Sequence, residues 1–539
     1  MNKTKNIPQK LILIILCLIF GLFLLLPLAN ILVKSLSDGC RFTFANYETL
    51  FRDDIGKSFC NSVLFSALSA FWAVILSFIL AYAVNYTNLN DLFKKCIVTG
   101  AMLPMLLPTI TYGFAIVYSF GKQGLITKLL GRQIVDIYGG SGLVIGYVIY
   151  TLPTAFMLIN NTMKFIDKKF MIVSRLMCDG RAKSFLSTVL IPLSSTLVVA
   201  FIQSFTLSFT DYGIPAALAG NIDLLSSRLY NEMLGSLPNF HTGSAVSVLM
   251  LLPSVLSILV ITVLNKYNIR YSRISQIELS QSRVRDGTYA VMSTGILGCI
   301  VAIFAAIIVI PLVEQWPYRI NFTLEHIKKV FSDKTLMDVY INSLLTAFLT
   351  AILGTAVVYA SALVSARDNA YHSFGKIPDS IALFNNTVPG MVLGVAYLLA
   401  FKGGTLHNSF TLLVICNIVH LFSSPYLLIK GVLEKLNASW EVTARLMGDN
   451  WLQTVIRIIT PNAATSLLEA FSYFFVNSMV TVSAVIFLVS TKTMVVTAKI
   501  KELHHFASFN EIFVLSILIL ITNLLVKGIV KLSTKTKKG

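Results

Sequence analysis

The sequence predicts an all-α polytopic membrane protein, with about twelve transmembrane helices arranged as two parallel six-helix halves. Three observations carry that expectation. The 539 residues are 55% hydrophobic and only 13% charged, with a mean hydropathy of +0.76, far from a soluble globular average. Twelve apolar runs approach the roughly 20 residues needed to cross about 30 Å of hydrocarbon. Finally, Arg175-Leu176-Met177-Cys178-Asp179 returns 270 residues later as Arg445-Leu446-Met447-Gly448-Asp449, each followed at similar distance by a proline, Pro192 and Pro461.

The first six runs are expected at Leu11 to Val33, Asn61 to Val84, Cys96 to Phe120, Gly142 to Ile159, Val189 to Phe209 and Ser244 to Leu264. The second six are expected at Tyr289 to Leu312, Ile341 to Ser365, Ile381 to Ala400, Phe410 to Ile429, Ala463 to Val489 and Ile512 to Val530. Lys3, Lys5 and Lys10 give the first run the basic front of a signal peptide. It is longer than an h-region and lacks a small-x-small cleavage site, so it is expected to stay as an anchor.

Internal repetition extends beyond the islands. Phe42-Thr43 with Leu50-Phe51 answers Phe322-Thr323 with Val330-Phe331. Asn61-Ser62 answers Asn342-Ser343, and Pro108 with Gly113 answers Pro389 with Gly394. Six spans per unit give both copies the same orientation, so an axis along the membrane normal should relate them, with a pathway between. The expected organisation is a first domain at 1–264 with an island at 167–192, a cytoplasmic linker at 265–288, and a second domain at 289–539 with an island at 437–461. Threading the runs leaves the larger share of Lys and Arg on the side of the N-terminus. That side is expected to be cytoplasmic, with both termini and both islands on it. The net charge of +18 then reads as anchoring to anionic lipid, and nucleic acid is not an expected partner.

Within the islands apolar and charged residues alternate at spacings near three and four, implying short amphipathic helices broken at Gly180 and Gly448. Such a helix could lie at lipid headgroups. The repeated core and the matching prolines instead favour a docking element for a paired soluble protein.

Both islands resemble the cytoplasmic loop of permease subunits of binding-protein-dependent ABC importers. That pattern is roughly Glu-Ala-Ala, three residues, Gly, about a dozen residues, then Pro. Ala444, Gly448 and Pro461 match its spacing, with Glu441 one residue early. In the first copy Cys178 occupies the glycine position, Gly180 follows two residues late, and Ser174 stands for the alanine. The likeness covers essentially the whole chain, as in single-chain fusions of two permease domains that serve ferric iron, thiamine or 2-aminoethylphosphonate. Phe209 to Pro215 with Gly220, and Asn477 to Val485, are similar to stretches of the iron and phosphonate members.

The resemblance implies a transport subunit of a bacterial plasma membrane, not an enzyme. Two copies of a cytoplasmic ATPase are the implied partners at Arg175, Leu176, Met177, Asp179 and Gly180, and at Glu441, Ala444, Arg445, Leu446, Met447, Gly448 and Asp449. A solute-binding protein is implied on the other face. The chain has no Gly-x-x-x-x-Gly-Lys-Ser/Thr phosphate loop, so ATP belongs to those partners and no cofactor is expected here.

Polar residues in the apolar runs are candidates for the pathway: Gln203 and Asp211 after the first island, Glu469, Asn477 and Ser478 after the second. Helix-to-helix hydrogen bonding is the alternative. Pro108 and Pro389 could break helices to open backbone to a solute, or mark packed kinks. The seven cysteines show no metal-ligand spacing, and a Cys40–Cys60 bridge is the less favoured reading. His504-His505 reads as a solvated pair, and no metal site is expected. The absence of an acidic cage leans the substrate toward 2-aminoethylphosphonate, with ferric iron as the alternative. An ion-coupled secondary transporter is the competing class, weakened because Glu469 is the one well-embedded acid found.

Overall fold

A computed structural model describes residues 7–38, 41–52, 54–133, 136–265, 282–367 and 376–535. Eight helices are long and apolar enough to cross a membrane, from Pro8–Ser35 through Phe509–Thr534. Three further crossings are bent pairs: Asp91–Leu106 with Thr109–Leu130 at 112°, Ile377–Asn385 with Gly390–Phe401 at 102°, and Phe410–Leu421 with Ser423–Leu433 at 56°.

Twelve straight spans in two matching sets of six are therefore not what forms. The run expected at 463–489 is not among the candidate spans. Its helix, Thr460–Val480, carries Asn462, Ser466, Glu469, Ser472 and Asn477, which lower its hydropathy, and it stops where Thr481 turns extended. The fourth crossing also differs between halves, since Gly140–Lys164 is one helix and its counterpart is bent. Two short hairpins, Ser37–Asp38 with Arg41–Phe42 and Val313–Gln315 with Arg319–Phe322, are the β-structure among the described residues.

The prolines explain the breaks. Pro108 and Pro389 sit in extended conformation immediately before Thr109–Phe120 and Gly390–Phe401, with nearly identical backbone angles. Their carbonyls accept from Thr111 and Leu393, which restarts each helix. Gly113 and Gly394 serve close approach: a Cβ at Gly113 would meet the Ala217 Cβ at 2.2 Å, and one at Gly394 the Ala484 carbonyl at 2.4 Å. Pro27, Pro192 and Pro461 behave differently. Each is the second residue of a helix preceded by a five-residue π-turn, Gly21–Leu25, Leu186–Leu190 or Val455–Ile459. The wider turn makes room for a ring that would otherwise strike the preceding carbonyls, so the chain continues as one rod.

The first helix of each half packs on the other half. Ile7–Phe20 and the segment after it lie against Lys334–Arg367, Gly390–Phe401 and Phe410–Leu421, with Phe20 and Phe422 rings 4.6 Å apart and Phe23 and Phe401 5.7 Å apart. Reciprocally, Arg283–Val309 packs on Ile55–Tyr86, Asp91–Met102 and Thr109–Phe120, with Tyr82 and Tyr289 rings at 4.5 Å. Within the expected linker at 265–288, Asn265 and residues 283–288 are helical. Residues 266–281 lie outside the described ones, and Ser282 caps the Arg285 amide at the start of a helix from Arg283. Cys40, half of the bridge considered above, also lies outside them, and Cys60 is a free thiol.

Repeated residues do repeated work. Thr43 and Thr323 each accept from the amide two residues on, at 3.1 Å, and donate their own amide to Leu36 and Leu312 carbonyls at 2.9 Å. Asn61 donates to the Asp223 carbonyl, and Asn342 to those of Lys492 and Met494. Beside them Ser62 accepts from the Leu225 amide at 2.8 Å and Ser343 from the Val496 amide at 2.7 Å, each capping a ten-residue helix, Leu225–Leu234 and Val496–His505. Both serines are buried. Replacing Ser62 or Ser343 by Ala leaves a buried amide unpaired and should lower stability by about 1–3 kcal/mol in either half, read as a drop in Tm of the detergent-purified protein.

Candidate functional site

Both islands fold into the same device. In the first, Lys169–Leu176 is followed by Cys178 at φ 55° and then by Arg181–Phe185 with Gly180 at its N-cap. In the second, Ser439–Leu446 is followed by Gly448 at φ 91° and then by Trp451–Thr454, capped by Asn450 and Gln453 in a reciprocal box. The Asp179 amide reaches back to the Ser174 carbonyl at 3.1 Å and the Asp449 amide to that of Ala444 at 3.0 Å, the closing bond of a Schellman turn. Such a turn needs a left-handed residue, which is why the glycine position matters. Cys178 adopts that conformation against its own preference.

The turn sorts the neighbouring side chains. Ser174 and Ala444 point inward and are buried, whereas Leu176, Met177, Leu446 and Met447 are 78%, 71%, 83% and 82% exposed. Four large apolar side chains at matching positions are thus left without cover. The side chains of Arg175 and Arg445 lie outside the described ones. Asp179 and Asp449 tie the device to the following helix through Lys183 at 2.7 Å and Arg457 at 3.3 Å. The Lys183 and Ser174 hydrogen bonds hold the Asp179 carboxyl below its ordinary range.

Behind the exposed tips the two halves use different chemistry. Glu441 faces inward, 3.5 Å from Arg367 at the end of Lys334–Arg367, with side chains 15% and 6% exposed. Arg367 also donates to the Leu436 carbonyl at 2.9 Å. Nearby, Lys430 and the Tyr426 hydroxyl both reach Asp379 at 2.6 Å. In the first half Lys168 instead lies 5.5 Å from the Tyr86 ring, within a stack of Tyr82, Tyr86 and Tyr289, and Asn85 bonds Asn160 at 2.8 Å. Glu441, expected on the docking face, has its side chain turned toward Arg367 and largely covered. Arg367 and the Asp379 cluster escaped sequence reasoning because they pair across 74 and 51 residues, and only their charge at the ends of apolar runs hinted at them.

The pathway candidates are not brought into one cluster. The first helix ends at Thr210, so Asp211 does not share a helical face with Gln203. It is buried and accepts from the Ile214 amide at 2.8 Å at the start of Gly213–Leu218. Asn477 donates to the Tyr473 carbonyl of its own helix, and Ser478 accepts from Asn417. These three make hydrogen bonds within or between helices, the kind of contact the alternative reading describes. Glu469 is exposed on Thr460–Val480 and Gln203 half-buried on Ile191–Thr210. An exposed carboxylate on this helix requires water or a partner, so Glu469 stays a pathway candidate.

At the end of these helices remote from the islands, an open cavity of about 620 Å³ is lined by residues of both halves, among them Tyr118, Lys122, Tyr138, Trp316 and His504. His504 packs 4.7 Å from the Phe114 ring. Among the described residues no group of three His, Cys, Asp or Glu could hold a metal ion.

Comparison with known proteins now bears on this geometry. Residues 362–538, which contain the second island, match the family described as the binding-protein-dependent transport system inner membrane component. Over that third of the chain the likeness is to the membrane component of a binding-protein-dependent importer, a transport subunit. More narrowly, the chain is related to ferric-type permeases. It is 25% identical over 520 residues to a ferric transport system permease protein of Haemophilus influenzae, covering 92% of this chain and 80% of that one. To the ferric transport system permease protein of Actinobacillus pleuropneumoniae it is 25% identical over 523 residues, 93% of this chain and 74% of that one. A sulfate transport system permease protein of Helicosporidium is 26% identical over 189 residues, 34% of this chain and 68% of that one.

Two outcomes test this reading of the islands. Cys178→Gly should stabilise the first turn and Gly448→Cys destabilise the second, each by about 1 kcal/mol, seen as opposite changes in hydrogen exchange at the Asp179 and Asp449 amides. Glu441→Ala strands the Arg367 guanidinium and should cost about 3 kcal/mol, whereas the pair Arg367→Met with Glu441→Leu should recover most of the lost Tm.

Proposed function

We propose that the chain forms the membrane pathway of an ATP-driven importer, with domains near residues 1–264 and 289–539, which takes ferric iron from an external binding protein to the cytoplasm. The observation that carries the energetic part is the pair of uncovered tips, Leu176-Met177 and Leu446-Met447, presented by identical turns. Two identical ATPase subunits need two alike, water-facing apolar knobs, and a single soluble partner would not. Arg175, Gly180 and Arg445 flank those knobs. Both termini and both tips lie on the cytoplasmic side, and the cavity at the other end faces the binding protein.

Ferric iron replaces 2-aminoethylphosphonate as the favoured cargo. Two relatives aligned over nine-tenths of this chain carry ferric transport in their names, and the phosphonate expectation rested only on a missing acidic cage. That cage is not required of a permease whose binding protein selects the ligand. An ion-coupled secondary transporter gains nothing from the structure, since Asp211, the other acid considered, is committed to a helix start.

Co-expression with the ATPase should yield a stable complex carrying two ATPase copies. The double change Leu446→Asp with Met447→Asp should reduce retention to about one copy, read by mass photometry of the purified complex. Full retention would assign these tips to the lipid surface. In vesicles, ATP-dependent uptake of ⁵⁵Fe from the loaded binding protein should exceed that of labelled 2-aminoethylphosphonate.

A further inference from the structure

The helices Leu225–Leu234 and Val496–His505 hold matching places in the two copies, because each starts at the amide capped by the serine of the repeated Asn-Ser pair. Counted from that cap, Tyr230 and Lys501 are both the sixth residue. They touch: the Lys501 ammonium lies 2.9 Å from the centre of the Tyr230 ring and 4.7 Å from that of Tyr212, and the two rings stack at 4.7 Å. Equivalent positions of two copies meet only along the line where the copies face each other. In a duplicated transporter the solute's route follows that line.

The charge there is uncompensated. Lys501 is 9% exposed, and no carboxylate pairs with it among the described residues. The acids of its own helix and of the helices carrying Tyr230 and Phe509 pair elsewhere: Glu502 with Lys499 at 2.7 Å, Glu232 with Arg228 at 3.1 Å and Glu511 with Lys329 at 2.6 Å. His504, a turn further along the same helix, adds no negative charge. Two ring faces offset only part of what an ammonium loses on leaving water. Burial accordingly brings its pKa down to about 7.

We infer that Lys501 reads negative charge on the cargo: the solute passes this point as an anion whose oxygen replaces the Tyr230 and Tyr212 faces as the partner of the ammonium. The inference rests on the importer reading and narrows its substrate class. A bare trivalent cation would be repelled, so iron would cross inside an anionic oxygen chelate. A free oxyanion has the same chemistry at the point of contact.

The test uses the full chain with its ATPase and binding protein in vesicles, with Lys501→Gln and Lys501→Arg. The probes are ⁵⁵Fe supplied as ferric citrate and labelled 2-aminoethylphosphonate. For whichever probe the wild type takes up, Lys501→Gln should lower uptake about tenfold or more while Lys501→Arg retains most of it. ATPase retention and Tm should stay unchanged in both. Loss confined to ferric citrate assigns the charge to the chelating anion, and loss confined to the phosphonate assigns it to a free oxyanion. Wild-type uptake by Lys501→Gln overturns the inference and leaves the importer reading standing. Equal impairment of both variants also overturns it, by marking Lys501 as a packing residue. Wild-type vesicles that take up neither probe and retain no ATPase overturn the importer reading and this inference with it.

Discussion

Hydrocarbon offers no hydrogen bonds, so every interruption in these helices has to be repaired by groups the protein itself brings to that depth. The break ahead of Pro108 leaves the Leu106 carbonyl without a helical partner, and Asn523 of the last helix donates to it at 2.9 Å. Where the fourth crossing of the second half bends, Asn385 donates to the Val419 carbonyl at 2.7 Å, and Ser423 returns a bond to the Ala382 carbonyl at 2.8 Å. All three repairing side chains are buried. The bends are thus fixed by polar contacts reaching from one element to another, and the short helices that they position inherit that rigidity. Where no such partner exists the chain keeps to π-turns, which shelter Pro27, Pro192 and Pro461 without opening the rod.

The rods that leave the islands are of this second kind. Each runs from a Schellman turn, through a π-turn, into a helix that ends beside Asp211 or Thr481 at the far side of the bundle. Beyond each turn, one continuous element therefore runs to the neighbourhood of Tyr212 or Val482. The buried Arg367–Glu441 pair ties the second island to another helix as well, whereas the first leans on aromatic faces. Faces slide more readily than an ion pair, so the two ends of the machine differ in stiffness although their tips look alike.

Much of this was legible in the chain. The runs, the prolines and the island duplication gave the number and rough place of most crossings, and the shared Asn-Ser pair proved to hold matching helices. Breaks at Pro108 and Pro389 were legible as possibilities, but what repairs them was not, since the freed Leu106 carbonyl is met by Asn523, more than four hundred residues away. Hydropathy overextended the run at 463–489 because Val482, Val485 and Phe487 are buried beyond the end of the α-helix, in an irregular stretch that includes a single 3₁₀ turn, Val485–Phe487. The partners of Glu441 and Asp211 were not legible for one reason: a lone carboxylate in sequence gives no sign of whether it meets solvent, a guanidinium or a helix start.

The exchange of first helices bears on how the chain is made. Residues emerge from synthesis in order, at roughly 5–20 per second. The helix Ile7–Phe20 lies on Lys334–Arg367, and Gly21–Leu25 after it on Phe410–Leu421, which appear more than three hundred residues afterwards. For tens of seconds its inner face, with Leu16 and Phe20, has only lipid or a provisional neighbour. Encoding both halves in one polypeptide keeps that waiting helix within reach of its eventual seat. Two separate subunits would have to find each other across the membrane before either could close its core.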